Sequence, residues 1–202
     1  MPPKPKFTRA EVVRAALDIV AEKGMEALTS RELGTALGSS ARPIFTVFSS
    51  MEELCGEVRK AALREFENFT VITDENMPPF KQFGVKMTKF ATVQPKLFRL
   101  LHMCEMDETG SFEMIFNNLG DTAEKCIRTL HEDYGFSFED SKLIFKHCWI
   151  YTYGISVLIA TKMCSFSEEQ ISEMLTFEFQ SIIARAKSGN SNVFEPYSTT
   201  AE

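Results

Sequence analysis

The chain is poor in the parts from which metal and catalytic centres are assembled. It has three histidines, His102, His131 and His147, and no set of residues at metal-ligand spacing. It has no glycine-rich phosphate loop, and no Ser-His-Asp or Cys-His arrangement is placed by a motif. No metal, no cofactor and no catalytic residue is therefore expected, which leaves an enzyme as the least supported class. Five cysteines (Cys55, Cys104, Cys126, Cys148 and Cys164) are odd in number and unpaired in spacing, so neither a disulfide framework nor a zinc site is read from them. Buried, reduced thiols are expected instead. The N-terminus lacks the apolar stretch of a signal peptide. The most apolar run, residues 148–160, is too short and carries too many polar and small residues (Thr152, Tyr153, Gly154, Ser156) to span a bilayer. A cytoplasmic protein with no membrane partner is the expectation.

Positive charge is also in deficit. Lys and Arg number 22 against 28 Asp and Glu, a net charge of −6. The deficit is uneven: residues 1–60 hold nine basic and eight acidic side chains, and the rest holds thirteen and twenty. Any nucleic-acid contact must then be local and N-terminal. What the chain does have is phenylalanine, 18 residues against 4 Tyr and 1 Trp. Phe fills space and offers no polar handle, so most of it belongs in a core or in the wall of an apolar cavity. With 202 residues, 44% hydrophobic and 25% charged, a globular protein of one or two domains is expected.

Helical periodicity runs through almost every stretch, and no alternating strand pattern competes with it. Val13, Ala16, Leu17, Val20 and Ala21 form a first stripe that Gly24 ends. Thr29-Ser30-Arg31-Glu32 reads as a reciprocal capping box for a short second helix that stops at Gly38. Ser40 can cap a third short helix beginning at Ala41-Arg42-Pro43, where a first-turn proline loses no hydrogen bond. Ser50-Met51-Glu52-Glu53 opens a long fourth helix. Beyond Pro78-Pro79, stripes from Phe80 to Ala91, from Pro95 to Leu101 and from Phe112 to Tyr134 follow. Ser137 and Ser167 cap the last two helices, and from Ser188 the composition turns small and polar.

Two short helices joined by the tight turn Leu37-Gly38-Ser39-Ser40 make a helix-turn-helix. Leu33, Leu37, Ile44 and Phe48 face inward, which leaves Ala41, Arg42, Phe45 and Thr46 outward. The stretch from Leu28-Thr29-Ser30-Arg31-Glu32-Leu33 through Gly38-Ser39-Ser40-Ala41-Arg42-Pro43-Ile44-Phe45-Thr46-Val47-Phe48 to Met51-Glu52-Glu53-Leu54 resembles the DNA-binding signature of the TetR family over residues 8–55. The resemblance implies an all-α protein: a helix-turn-helix domain at residues 1–50 with a basic arm, a helical ligand-sensing and dimerising domain at 51–187, and a tail at 188–202. It implies a regulator of the repressor kind that binds a palindromic double-stranded DNA operator as a homodimer. Two departures stand out. Phe45 sits where the family usually has Tyr, and Met51 sits where it usually has Lys, so two phosphate contacts are missing and a shallower salt dependence follows.

The residues assigned to DNA are Lys4, Lys6, Thr29, Ser30, Ser39, Ser40, Ala41, Arg42, Phe45, Thr46 and Met51. Arg42 can hold two acceptors on guanine. Thr46 can meet a thymine methyl or a phosphate. Ser30 and Ser39 position the backbone, Lys4 and Lys6 form a flexible arm, and the amides at Met51 and Glu52 open a helix toward a phosphate. The resemblance further implies a small-molecule effector, apolar or aromatic, with Phe66, Phe90, Phe98, Phe116, Trp149 and Tyr153 as wall and His147 and Tyr153 as polar anchors. The last two helices are assigned to the dimer interface. An interaction module that kept the helix-turn-helix shape and weakened its hold on DNA stays open as the alternative.

Overall fold

A computed structural model describes residues 6–104 and 111–188, apart from the side chains of 116–118. Among the described residues every regular element is helical. The α-helices are α1 (Arg9–Lys23), α2 (Ser30–Ala36), α3 (Met51–Thr70), α4 (Pro79–Val93), α5 (Pro95–His102), α6 (Phe112–Leu119), α7 (Asp121–Glu132), α8 (Phe138–Ala160) and α9 (Glu168–Lys187). Short 3-10 turns occupy Met25–Ala27 and Ile44–Thr46. The contacts gather into two compact units, Met1–Phe69 with Phe90–Glu105, and Thr70–Lys89 with Met106–Glu202.

In the first unit α1 packs on α2 and α5. Its core holds Val12, Ala16 and Val20 of α1, Leu33 of α2, Leu54, Val58, Ala62 and Phe66 of α3, and Phe90, Leu97 and Phe98. The buried stripe of α1 therefore runs through Val12 and Ile19, with Val13 and Ala21 only half-buried. Apolar residues occur on both flanks of this helix, so α2 and α5 together choose which flank is covered. Thr8 caps α1 in a reciprocal box with Glu11. The expected box at Thr29 closes on one side only. Thr29 Oγ1 accepts from Glu32 N at 3.1 Å, but the Glu32 carboxylate accepts from Lys23 Nζ at 2.6 Å. The Thr29 amide is already satisfied by Ala27 O, at 3.0 Å, because the preceding 3-10 turn brings that carbonyl round.

The second unit is built from the first part of α4 and from α6 to α9, with α7 on α8 and α8 on α9. Phe83, Met87, Cys126, Leu130, Ile144, Phe145, Ile155 and Ile171 are buried there. The stripe expected to run unbroken from Phe112 to Tyr134 is cut at Gly120 (φ 49°, ψ −128°), a backbone region open in practice only to glycine, and two helices result. α8 carries buried Ser141, Thr152 and Ser156, whose hydroxyls donate to the carbonyls of Ser137, Cys148 and Thr152 four residues back. By length and composition α8 is long and apolar enough to cross a membrane, which the shorter run 148–160 is not. Buried Gln82 ties down the connection before α4. Its Oε1 accepts from the amides of Thr73 and Asp74, at 3.1 and 2.9 Å, and its Nε2 donates to the carbonyls of Asp74 and Met77.

Candidate nucleic-acid interface and ligand cavity

The segment after α2 is governed by Gly34. A side-chain carbon there would come within 2.9 Å of Ser40 C and 3.0 Å of Ala41 N, so the returning backbone lies directly on the helix. Ser39 N donates to Gly34 O at 2.8 Å and closes the turn, while Gly38 takes the left-handed conformation (φ 61°) that reverses the chain. The third helix expected from Ala41 onward is a 3-10 turn, with Ile44 N on Ala41 O and Val47 N on Ile44 O. Three of the four residues after Pro43 in Ile44-Phe45-Thr46-Val47 are β-branched, and the Thr46 hydroxyl donates to Pro43 O at 2.6 Å, so a regular helix has little local support.

Ile44 and Phe48 are buried and pin this turn at both ends. Between them Phe45 is 46% exposed, and Arg42 and Thr46 are exposed beside it. Arg42 has no hydrogen-bond or ion-pair partner among the described residues. Ser40 is exposed, and Ser39 and Ala41 are half-buried. Lys6 Nζ donates to Ser39 Oγ at 2.9 Å, which brings the start of the chain to this turn. Thr29 is exposed and Ser30 half-buried at the start of α2, and Met51 is half-buried at the start of α3. Lys4 lies outside the described residues. One cation escaped the sequence reading: Arg31, assigned there only to a capping box, is exposed and has no side-chain partner among the described residues. By contrast Arg9, Arg14, Lys23 and Lys60 are each tied to a carboxylate.

A clamp fixes the far end of the segment from Ala41 to Phe48. The Arg9 guanidinium lies 4.1 Å from the Phe48 ring centroid and donates from Nη1 to Val47 O and Glu53 Oε1, both at 2.7 Å. Glu53 Oε2 accepts from the amide and the hydroxyl of Ser49, each at 2.7 Å, while Ser50 Oγ caps the Glu53 amide at 3.1 Å. Glu53 thus turns to Ser49, not to the Ser50 amide as the capping pattern suggests. The two Ser49 hydrogen bonds and then Arg9 hold its carboxyl at about 2, well below the ordinary value of 4.5.

Residues 12–58, which include the segment from Thr29 to Glu53, match the family model described as bacterial regulatory proteins, tetR family. By this match residues 12–58 are similar to the N-terminal domain of the TetR family. Solved TetR-type structures share the fold along nearly their whole length. A TetR variant from Acinetobacter baumannii AYE in complex with minocycline is 20% identical, with a TM-score of 0.57, covering 91% of this chain and 98% of that one. A transcriptional regulator from Rhodococcus sp. Rha1 is 12% identical, with a TM-score of 0.59 and coverage of 89% and 97%. BioQ with its natural double-stranded DNA operator is 18% identical, with a TM-score of 0.56 and coverage of 89% and 99%. No curated protein sequence gives a significant match. The chain thus pairs a TetR-type N-terminal segment with a fold shared by solved TetR-type regulators.

The aromatic residues named for an effector fall into two places. In the first unit Phe66, Phe90 and Phe98 are buried, with Phe66 edge-on to Phe90 at 5.2 Å and to His102 at 4.8 Å. Burial pushes the His102 imidazole down to about 4, so it is neutral at pH 7. In the second unit Trp149 stacks on Tyr153 at 5.0 Å and meets the edge of Phe112 at 5.4 Å. His147 is half-buried, and burial, helped by Lys146, lowers its pKa against the pull of Glu178. The Phe116 side chain lies outside the described residues. A cavity of about 490 Å³ opens in the second unit between the start of α4, Tyr134, α8 and α9, with Phe80, Lys81, Tyr151, Glu178, Phe179 and Gln180 in its wall. Sequence periodicity had marked Phe80 as a core position and left Phe179 unnoticed. The cavity wall also contains Cys148, whose thiol burial pushes up to about 12.

The clamp makes a pH signature. Because the Glu53 carboxyl is held below its ordinary value in the folded chain, its stabilisation is complete above pH 4.5 and is lost as pH falls from 4.5 toward 2. Glu53→Gln should unfold at lower urea concentration than the parent at pH 7, with the gap closing through that window. A gap that stays constant down to pH 2 contradicts the clamp.

Proposed function

We propose that this protein is a repressor that grips a two-fold symmetric DNA operator as a homodimer and lets go when a small apolar or aromatic effector binds. The observation that carries the reading is the exposed Arg42, without a partner among the described residues, two residues before a turn that buried Ile44 and Phe48 anchor. Arg42 reads a guanine, whose O6 and N7 suit a guanidinium fork. The Thr46 hydroxyl gives its proton to Pro43 O, so its methyl is the group offered to a thymine methyl. Ser30, Ser39, Ser40 and Ala41 set the distance to the phosphates, and Lys4, Lys6 and Arg31 supply ionic contact. Phe45 has no hydroxyl and Met51 no charge, so few counterions are released and affinity falls gently with salt. The protein works in the cytoplasm, where its DNA is, and does no catalysis.

Two copies follow from the geometry of B-DNA, whose half-sites repeat about one helical turn apart. The outward face of α8 supports α8 and α9 as the interface. Ile150 is 47% exposed, Gly154 is exposed with open space where a side chain would go, and on α9 Phe177 is 72% exposed. A glycine inside a 23-residue helix costs about 1 kcal/mol against alanine. Among the described residues nothing lies within 4 Å of where its side chain would be, which leaves room for the close approach of a second helix. The effector seat belongs to the second unit, where Trp149, Tyr153 and His147 share α8 with the cavity wall. A ligand that prefers one spacing of the two recognition turns shifts the dimer away from operator geometry.

Arg42→Ala should weaken binding to a fragment of the protein's own promoter by about 1–3 kcal/mol and relax the preference at one base position, read by gel shift at several salt concentrations. Equal affinity for parent and variant removes Arg42 from base readout. Gly154→Arg should turn a dimer into a monomer in sedimentation velocity with helix content retained; a dimer that survives it moves the interface elsewhere.

A further inference from the structure

We infer that the cavity of the second unit takes an aromatic cation, a deepening of the effector reading above that rests on it only for the word effector. The wall is built of rings. Phe80 and Phe179 stack at 4.0 Å with planes 22° apart, and Tyr134 stands edge-on to both, 6.1 Å from Phe80 and 5.5 Å from Phe179. Tyr151 adds a fourth ring. Ring faces carry negative quadrupole density and attract positive charge. A volume of about 490 Å³ suits a drug-sized molecule.

The polar groups point the same way. Glu178, next to Phe179 on α9, is the one carboxylate in the wall and has no ion-pair partner among the described residues. The Thr152 and Thr176 hydroxyls donate to the carbonyls of Cys148 and Ser172, at 2.8 and 2.7 Å, so neither has a proton for an anion. Cys148 and Tyr134 are both pushed up by burial and stay neutral at pH 7. A neutral hydrocarbon would strip water from Glu178 and give it nothing in return. An anion would lie against both Glu178 and the ring faces. A cation satisfies all of them. The remaining charge, Lys81 on the first turn of α4, ends a long stem that can keep its ammonium in water. The outward residues Ile150, Gly154 and Phe177 do not line the cavity.

Tetraphenylphosphonium and tetraphenylborate, alike in shape and opposite in charge, provide the test on the full-length protein by calorimetry. The cation should bind one per chain and more tightly than the anion. Glu178→Gln should weaken the cation roughly tenfold and leave the anion equal or tighter, while Lys81→Met should leave the cation equal or tighter. Phe179→Ala should weaken both probes and so place them in this cavity. An anion bound as tightly as the cation, or a cation indifferent to Glu178→Gln, overturns the inference. A gel shift run beside it separates the two claims: loss of all DNA binding defeats the regulator reading while calorimetry still decides the ligand class. Cation binding that leaves a working operator complex unmoved supports the ligand class and defeats the effector role.

Discussion

Two buried side chains, Ile44 and Phe48, hold a three-residue turn against the body of the first unit, and the residues around and between them are left outside. Everything proposed for DNA depends on that anchoring. The turn can sit so close because residue 34 is glycine and the backbone of residues 39–41 lies on it. At the other end Arg9 covers Phe48 and joins Val47 to Glu53, so the entry of α3 is tied to the start of α1. The exposed surface is thus made of a loose-looking segment given rigidity by its two ends. Rigid presentation of a few side chains is what base readout needs, because a fork misplaced by an ångström loses its paired acceptors.

Helix type and order were legible in the sequence, because long apolar stripes at helical spacing admit little else. So were the caps at Ser137 and Ser167, the proline start of α5 and the inward set Leu33, Ile44 and Phe48. What escaped was set by competition between partners. Glu32 and Glu53 each had a local capping amide on offer, but Glu32 went to Lys23, and Glu53 to Arg9 and Ser49. The break at Gly120 was invisible because the stripe continues in phase across it. The segment from Ala41 reads as a helix by pattern, yet its β-branched run and the Thr46 hydroxyl leave it a 3-10 turn.

The site was legible to different depths. Arg42 and Thr46 could be placed outward from their spacing to the apolar positions Ile44 and Phe48, a short-range inference. Arg31 was hidden by its place inside a capping motif, and only the pairing of the other cations with carboxylates sets it apart. The cavity lay beyond periodicity. Phe66, Phe90 and Phe98 carry the same helical spacing as pocket residues, but in the first unit Phe66 packs on Phe90, and Phe66 and Phe98 both pack on His102. Phe80, Tyr134 and Phe179 are far apart in sequence and meet only through the packing of the second unit.

The same division appears in the charge. A net charge of −6 belongs to the chain as a whole, while the free guanidinium groups of Arg31 and Arg42 lie within the one domain that matches the family model. The claim that this surface reads a duplex edge in duplicate is tested most directly by selecting bound DNA from a random pool. The account predicts enrichment of a palindrome whose half-sites lie about one helical turn apart, with a guanine in each half. A pool that stays random, or a winner with a single unpaired half-site, contradicts it.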